Sequence, residues 1–370
     1  MATLLKDEGY HISIVTPKIY KKSRYFENQD GLKVYRFPFF ARNKLLIEHK
    51  KVPYLRMVLY YVTGFFLTIY ALFKNRCHLI HVHWAIPTGL IGVLSGLLLK
   101  KPVIVTIHGS DLRMALEKPG FLRKIFVYVC KKASHINCVS KVQKQELEKL
   151  DISNKKISIM PMGVDNAFLE VGKNRKIGLE KPSFTILSNR NLFPIYNVSL
   201  LIRAIPVVLK EEPNTKFLIA GEGSEKETLE KEVKSLKINS SVKFLGRVPH
   251  EEMPDLLSQA DIYVSTSLYD GTSVSLLEAM GAGAFPIVTD IPSNREWVTH
   301  NENGFLVPFN EGKTLANGII DVIRNQSFLE KSWEKNLSII EEKALWAITI
   351  KNIKSIYTKL LAPEVRNPRP

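Results

Sequence analysis

The residues best suited to chemistry lie in one segment, residues 260–296, which reads as a strand, a loop, a helix, a loop and a second strand. Its first loop contains DGTS at 270–273, where Asp-Gly makes a tight turn and Thr272 or Ser273 can cap the following helix. The start of such a helix carries free backbone N–H groups and a partial positive charge. The loop therefore predicts a binding site for a diphosphate.

A second carboxylate, Glu278, follows Asp270 by eight residues and lies inside the predicted helix between apolar residues. A carboxylate among apolar neighbours needs a specific partner, and hydrogen bonds to ribose hydroxyls would provide one. The alternative is that Asp270 only caps a turn and that Glu278 is solvated.

The elements that must position these residues alternate between short apolar runs and amphipathic stretches. In the first half, strands are predicted at 11–16, 32–37, 79–83, 103–108, 136–139 and 157–160, and helices at 89–99, 122–132 and 141–150. In the second half, strands are predicted at 184–187, 216–220, 242–245, 262–265 and 285–289, and helices at 198–210, 226–236, 254–260, 273–280, 312–324 and 338–361. This alternation predicts two α/β domains with mostly parallel, doubly wound sheets and a ligand in the crevice between them.

The predicted boundaries are 1–169 for the first domain, 170–183 for a polar linker, 184–337 for the second domain, 338–362 for a last helix and 363–370 for a tail. Such a domain usually begins with a strand and then a helix. This chain opens with the end of a helix, stopped by Gly9, followed by a strand. We therefore expect the first strand and its glycine-rich turn to be missing and the natural start to lie upstream of Met1.

Composition narrows the class of protein. The chain has 370 residues, of which 45% are hydrophobic and 24% charged, values that argue against disorder and against a repeat array. The three cysteines form no CxxC pair, which argues against a disulfide framework or zinc site and favours a reducing cytosol. The N-terminal residues do not have the pattern of a signal peptide.

The formal net charge of +16 is unevenly distributed. Residues 1–175 contain 29 Lys and Arg against 12 Asp and Glu, whereas the remaining residues contain 23 against 24. An anionic membrane surface, or a lipid-phosphate acceptor on one, fits this excess better than nucleic acid, for which no recognised motif is present. The alternative is a basic surface that only aids solubility.

One apolar segment bears on the same question. Residues 57–73 contain no charged residue, and 17 residues is at the lower edge of a membrane span. Gly64 interrupts the segment, and basic residues flank it on both sides, at Lys50, Lys51, Arg56, Lys74 and Arg76. We expect a buried or partly membrane-dipping helix that places the first domain on the bilayer.

An ordered series of motifs resembles the group 1, or family 4, glycosyltransferases with the GT-B fold. It runs through HVHWAIPTG (81–89), VTIHGSDL (105–112), CVSKVQKQEL (138–147), IMPMGVDNAFL (159–169), LSNRNLFPIYNVSLLIRAI (187–205), FLIAGEGSEKETLE (217–230), VKFLGRVPHEEMPDLLSQADIYVSTS (242–267) and NGFLVP (303–308). The family signature, Glu, seven residues and Glu, reads here as Asp270, seven residues and Glu278. The resemblance implies an α/β fold of two Rossmann-like domains facing a cleft, an acceptor-side domain and a nucleotide-sugar domain, with a C-terminal helix crossing back to the first.

The resemblance also implies roles for individual residues. Glu278 would bind the donor ribose, Asp270 the sugar hydroxyls, and Arg190 the diphosphate. The family's companion lysine is absent and Tyr196 stands in its place, so its hydroxyl and the helix dipole are expected to help. Other donor contacts are implied for the backbone at Gly271, Thr272, Ser273, Val274 and Ser275, for the base-facing loop at Arg247 and Val248, and, on the first domain, for the catalytic candidate His108. Gly221, in AGEG, fits either a phosphate loop or a simple strand-to-helix turn.

The implied reaction moves a sugar from a UDP- or GDP-sugar to a hydroxyl of a lipid-linked or polysaccharide-precursor acceptor, with retention at the anomeric carbon. It needs no enzyme nucleophile, no metal and no other cofactor, and nucleic acid is not an expected partner. The expected location is cytoplasmic and peripheral on the inner face of the membrane. The alternative is a non-catalytic or truncated GT-B relative that binds a sugar nucleotide or acts as a scaffold. Asp270 in the first acidic position, the absent lysine and the missing strand favour that alternative.

Overall fold

The chain forms two compact units. The computed structural model describes residues 1–39, 54–117, 120–175 and 183–362. The first unit comprises Met1–Val139, Gln143–Met160 and the chain from Ile350 onward, and the second comprises Ser140–Val142 and Pro161–Thr349. The predicted tail and half of the predicted linker, residues 176–182, lie outside the described residues, and a helix that ends at Lys173 extends into the other half.

The described part of the first unit contains two sheets. The strands are β1 (Ser13–Lys18), β2 (Phe26–Gln29), β3 (Leu32–Pro38), β4 (Ile80–His83), β5 (Val103–Ile107), β6 (His135–Cys138) and β7 (Ile157–Ile159). One sheet has the order β1-β3-β2 and the other is the parallel sheet β4-β5-β6-β7. The sequence prediction missed β2 because its side chains are mostly exposed and show no apolar pattern. The Asp30-Gly31 turn, with φ of 48° and 85°, is the signal that predicts this hairpin.

Helices pack against these sheets in the N-terminal half. They are α1 (Ala2–Asp7), α2 (Tyr54–Lys74), α3 (Leu90–Leu99), α4 (Ser110–Glu117), α5 (Phe121–Lys132) and α6 (Lys141–Lys149). Val105 and Ile107 of β5 are fully buried and pack in one cluster with Phe126 and Val129 of α5. All five residues of β5 are buried, as expected for the central strand of a parallel sheet.

The second unit contains one six-stranded parallel sheet. Its strands are β8 (Thr185–Ser188), β9 (Lys216–Ala220), β10 (Val242–Gly246), β11 (Ile262–Ser265), β12 (Phe285–Thr289) and β13 (Phe305–Val307), in the order β10-β9-β8-β11-β12-β13. Its helices are α7 (Asn166–Lys173), α8 (Val198–Glu211), α9 (Lys226–Ser235), α10 (Met253–Ser258), α11 (Val274–Gly281), α12 (Gly312–Arg324) and α13 (Ser327–Lys343). The strand order reverses between β8 and β11. Such a switch point is where open α/β sheets bind ligands, at the carboxyl ends of the strands.

The prediction of a single last helix over 338–361 is wrong. The chain forms α13 and then α14 (Trp346–Leu361), with a break at Ala344 and Leu345. The backbone of Val164 explains the break, because its N–H donates to the Ala344 carbonyl at 2.7 Å and its carbonyl accepts from the Trp346 N–H at 3.1 Å. α14 begins among residues of the second unit, and from Ile350 it belongs to the first.

Candidate active site

A group of polar side chains surrounds a single arginine, Arg190, at the carboxyl ends of β8 and β11. We call this group the arginine cluster. Arg190 comes two residues after β8, and its side chain is almost fully buried. Nη1 donates to Ser273 Oγ at 2.7 Å and to Ser275 Oγ at 2.6 Å, and Nη2 donates to Asp270 Oδ2 at 2.6 Å. The structure therefore brings together four residues that the sequence analysis assigned to the donor site.

The start of α11 lies in the same place. Ser273 is the N-cap, and its Oγ accepts a hydrogen bond from the Leu276 N–H at 3.3 Å, which decides between the two predicted caps. The first backbone N–H groups of a helix have no partner within the helix. An anion at this position would meet these donors together with the guanidinium of Arg190.

Burial and charge act against each other in the arginine–aspartate pair. Burial raises the pKa of Asp270, and the Arg190 guanidinium opposes that shift. Burial lowers the pKa of Arg190, but Asp270 and two tyrosines more than offset it, so that the pKa is raised. Arg190 Nε is fully buried beside the Tyr263 hydroxyl, so the guanidinium is held from several sides within the described residues.

Tyr196 stacks on this arginine. Its ring centroid lies 4.4 Å from Arg190 Cζ, a cation–π distance. Tyr196 ends a short 3₁₀ turn, Pro194–Tyr196, that precedes α8. The residue that replaces the expected lysine thus supports the guanidinium with its ring.

Glu278 is buried in α11, which contradicts the solvated alternative. Its Oε1 lies 3.1 Å from Nε2 of His250, a residue that the sequence analysis missed. Burial raises the pKa of Glu278, and His250 opposes that shift. The exposed Arg247 and the partly buried Val248 lie in the loop that leads to His250. This loop therefore approaches Glu278, the residue that is predicted to bind the ribose.

Two glycines fix the backbone next to Arg190. Gly221 has a φ of +142°, and a Cβ there would come within 2.4 Å of the Arg190 carbonyl oxygen. A Cβ at Gly223 would come within 2.1 Å of the Leu192 carbonyl oxygen. Only glycine allows these close approaches, so the AGEG turn holds the segment that carries Arg190.

A histidine cluster lies in the first unit. His108 follows β5, and its Nε2 lies 2.9 Å from Nδ1 of His83 on β4. The Trp84 ring packs on His108 with centroids 4.9 Å apart. Burial lowers the pKa of His108 to about 4, with His83 adding to the effect. Burial and the chain's amino group likewise lower the pKa of His83 to about 4, so both rings are neutral at pH 7.

Asp111 holds the turn that carries His108. It is 1% exposed, and its carboxylate accepts hydrogen bonds from the Ala85 N–H at 2.7 Å and the Gly109 N–H at 3.1 Å. The sequence analysis missed Asp111 and His83 as site residues. The alternation in HVHW, which puts His81 and His83 on one face of β4 beside β5, is the signal for the histidines.

Two family models together match almost the whole chain. The model for Glycosyltransferase Family 4 matches residues 1–168, and the model for Glycosyl transferases group 1 matches residues 172–340. The chain belongs to the group 1, or family 4, glycosyltransferases. The resemblance found in the sequence is therefore confirmed.

Similar proteins agree with this family. An uncharacterized glycosyltransferase of Methanocaldococcus jannaschii is 25% identical over 97% of this chain and 92% of its own length. The UDP-Gal:alpha-D-GlcNAc-diphosphoundecaprenol alpha-1,3-galactosyltransferase of Escherichia coli is 24% identical over 86% of this chain and 81% of its own. The structure of sucrose-phosphate synthase from Thermosynechococcus elongatus superposes with a TM-score of 0.79 at 16% identity, over 98% of this chain and 92% of that one. This glycosyltransferase thus has the GT-B fold.

The predicted site residues of this glycosyltransferase lie in both units. Arg190, Tyr196, Asp270, Ser273 and Ser275 form one network in the second unit. Glu278 is bonded to His250 in the same unit, and His108 belongs to the first unit. Within the described ranges, no group of three or more His, Cys, Asp or Glu side chains could hold a metal ion.

Proposed function

We propose that this glycosyltransferase moves a sugar from a nucleotide-diphosphate sugar to a hydroxyl of a lipid-linked or polysaccharide-precursor acceptor, with retention at the anomeric carbon. UDP- and GDP-sugars are the donors that we propose, and the reaction runs on the cytoplasmic side of a membrane. The observation that carries this proposal is the arginine cluster at the start of α11.

The cluster suits a leaving diphosphate. Arg190 presents a buried positive charge, and the start of α11 adds backbone donors. Fixed donors in a site with little water stabilise charge that develops on the departing oxygens. The step needs no external base to accept the proton of the acceptor hydroxyl. The bond from the anomeric carbon to the acceptor oxygen forms as the bond to the diphosphate breaks, and the departing diphosphate takes the acceptor proton.

Glu278 and the loop at Arg247 suit the nucleoside. A buried carboxylate next to an exposed histidine offers oxygen acceptors to two ribose hydroxyls. Arg247 and Val248 lie in the same loop as His250 and would face the base. We propose that Asp270 contacts the sugar hydroxyls and that Arg190 and the helix, rather than a resident metal, neutralise the diphosphate.

The acceptor class rests on two observations. The Escherichia coli relative is named for a galactosyl transfer to a sugar on diphosphoundecaprenol. The first 175 residues of this chain carry a formal charge of +17, from 29 cationic against 12 anionic side chains, which suits a phosphate-bearing lipid. We propose that the neutral His108 contacts the sugar or acceptor hydroxyl as a hydrogen-bonding group, because an uncharged imidazole both donates and accepts.

A two-step experiment tests the proposal. Unfolding is first followed with UDP, GDP, ADP, CMP and their sugars, and the matching base should stabilise the protein by about 2.7 kcal/mol at 100 times its dissociation constant. Transfer to a lipid-diphosphate-linked sugar is then followed by NMR of the new anomeric proton. Stabilisation without transfer would favour the sugar-nucleotide binder, and no stabilisation by any nucleotide would contradict the donor site.

A further inference from the structure

One face of α2 is apolar and exposed. Val58, Val62, Phe66 and Tyr70 recur every fourth residue, and Phe73 lies on the same side. Phe66 and Phe73 are 67% and 65% exposed, values that water-facing phenylalanines seldom reach in a stripe. Arg56–Lys74 is long and apolar enough to cross a membrane by length and composition, but only 28% of its most apolar stretch is buried in the protein.

The opposite face of α2 belongs to the protein core. Tyr60 is 1% exposed and packs with Phe37, Phe39 and Ile91. Gly64 lies against α3, since a Cβ there would come within 2.6 Å of Ile91 Cδ1. A helix bound in this way over its inner face would lie along a membrane surface rather than cross it.

The stripe on α2 forms one surface. We call its five exposed residues the apolar face: Val58, Val62, Phe66, Tyr70 and Phe73. Five large apolar side chains on one side of a helix exceed the scattered apolar residues of an ordinary surface. Leu94, Leu97 and Leu98 of α3 are also exposed, but α3 contacts the opposite side of α2 at Gly64, so they are not counted with this face.

Cations gather where α2 and α3 end. Lys33 Nζ donates to Asn75 Oδ1 at 2.9 Å, just beyond the end of α2. The Ile80 N–H donates to the Pro102 carbonyl oxygen at 3.0 Å, so the residues that follow α3 lie close to those that follow α2. We call these residues the basic cluster: Lys33, Lys74, Arg76, Lys100 and Lys101.

We propose that the apolar face and the basic cluster form the surface by which this glycosyltransferase binds an anionic lipid bilayer. The apolar side chains enter the interfacial layer and the cations contact lipid phosphates. The choice of a bilayer follows from the combination, because an apolar stripe that ends in five cations complements acyl chains beneath anionic headgroups. The inference deepens the proposed function by assigning the surface that meets a lipid-linked acceptor.

Flotation with vesicles tests this surface without any activity measurement. The full chain is mixed with vesicles of phosphatidylcholine alone or with added phosphatidylglycerol, at low and high salt. We expect flotation with the anionic vesicles, weakened by salt. Phe66→Glu should abolish it. Phe121→Glu is the matched control, because Phe121 is 77% exposed on α5 but lies outside the apolar face, and it should float like the native chain.

A second pair of variants separates the two parts of the surface. Lys100→Gln with Lys101→Gln should weaken binding to anionic vesicles about 25-fold, at about fivefold for each cation, and leave the weak binding to neutral vesicles unchanged. Lys234→Gln, on α9 of the second unit, is the charge control. A variant is compared only if its unfolding temperature equals that of the native chain.

Three outcomes would overturn the inference. The first is that the native chain binds none of the vesicles. The second is that Phe66→Glu and Phe121→Glu bind equally well. The third is that the native chain is a dimer without lipid and Phe66→Glu is a monomer, because the apolar face would then bind a second copy. Flotation of Glu278→Ala separates this inference from the proposed function. That variant should bind vesicles normally whether or not the donor site is correctly assigned.

Discussion

The two units of this glycosyltransferase solve the burial of polar side chains in opposite ways. In the second unit, Arg190 and Asp270 are buried as charges and satisfy each other across 2.6 Å. In the first unit, His83 and His108 are partly buried as neutral rings that share one hydrogen bond and stack on their neighbours. Both solutions avoid an isolated buried charge, which is costly.

The difference indicates where charge is needed. A diphosphate that departs from a sugar carries negative charge, and the second unit offers the buried cation Arg190 beside the start of α11. A hydroxyl acceptor is neutral until late in the reaction, and uncharged imidazoles suit it. Substitutions of the buried charged groups and of the neutral histidines should therefore have very unequal effects.

The largest effect is expected for Arg190→Ala. It removes the cation from the start of α11, and loss of one fixed charge-stabilising donor lowers kcat by about 100- to 1,000-fold. The measurement is the transfer rate with saturating donor. Arg175→Ala is the matched control, because Arg175 is an equally buried arginine that pairs with Asp261 at 3.1 Å in the same unit.

The control separates catalysis from folding. Each variant removes the cation that faces a buried aspartate, so both should destabilise the protein by about 3–5 kcal/mol. At a temperature where both remain folded, only Arg190→Ala should lose transfer. An equal loss in the two variants would mean that Arg190 acts through stability alone.

A smaller effect is expected for Glu278→Gln. The amide keeps the shape of the side chain but loses the charge, and hydrogen bonds to a charged group contribute about 1.5–3 kcal/mol. Nucleotide affinity should therefore fall about 10- to 100-fold, measured by calorimetry with the free nucleoside diphosphate. His250→Gln should weaken affinity less, and an unchanged affinity in Glu278→Gln would contradict the ribose assignment.

The neutral histidines predict a pH dependence of stability. Below pH 6.5 the histidines of the unfolded chain take up protons, whereas His83 and His108 in the folded chain do so only near pH 4. Stability is then fully present above pH 6.5 and falls as the pH drops to 4, by up to about 1.4 kcal/mol per pH unit for each histidine. Denaturation across this range should show a shallower fall for His83→Gln with His108→Gln. An unchanged slope in the double variant would mean that the folded chain does not protect these two histidines from protons.

Much of the fold could be predicted from periodicity. β5 and β12 are buried along their whole length, and their apolar runs are unmistakable. β2 was not predicted because an exposed strand has no apolar period, and β13 was not predicted because it has only three residues. The break between α13 and α14 depends on Val164, which lies far away in the sequence, so no local pattern predicts it.

The candidate site was predictable where one helix determines it. Ser273, Ser275 and Glu278 lie within two turns of α11, and their spacing is local. The partners of these residues were not predictable in that way. His250 is a lone histidine in a loop, and Arg190 meets Asp270 only because β8 and β11 are neighbours in the sheet.

The smallest effect is expected at Tyr196, where substitutions test which part of the side chain stabilises the buried charge of Arg190. If the ring stabilises Arg190 through the cation–π contact at 4.4 Å, Tyr196→Phe keeps that contact and should retain transfer within about twofold. Tyr196→Ala should raise the Michaelis constant for the donor about two- to thirtyfold, because the contact contributes about 0.5–2 kcal/mol. Steady-state kinetics of both variants decides the question. If the phenylalanine variant loses as much as the alanine variant, the hydroxyl rather than the ring replaces the missing lysine, and the tyrosine then acts on the diphosphate directly.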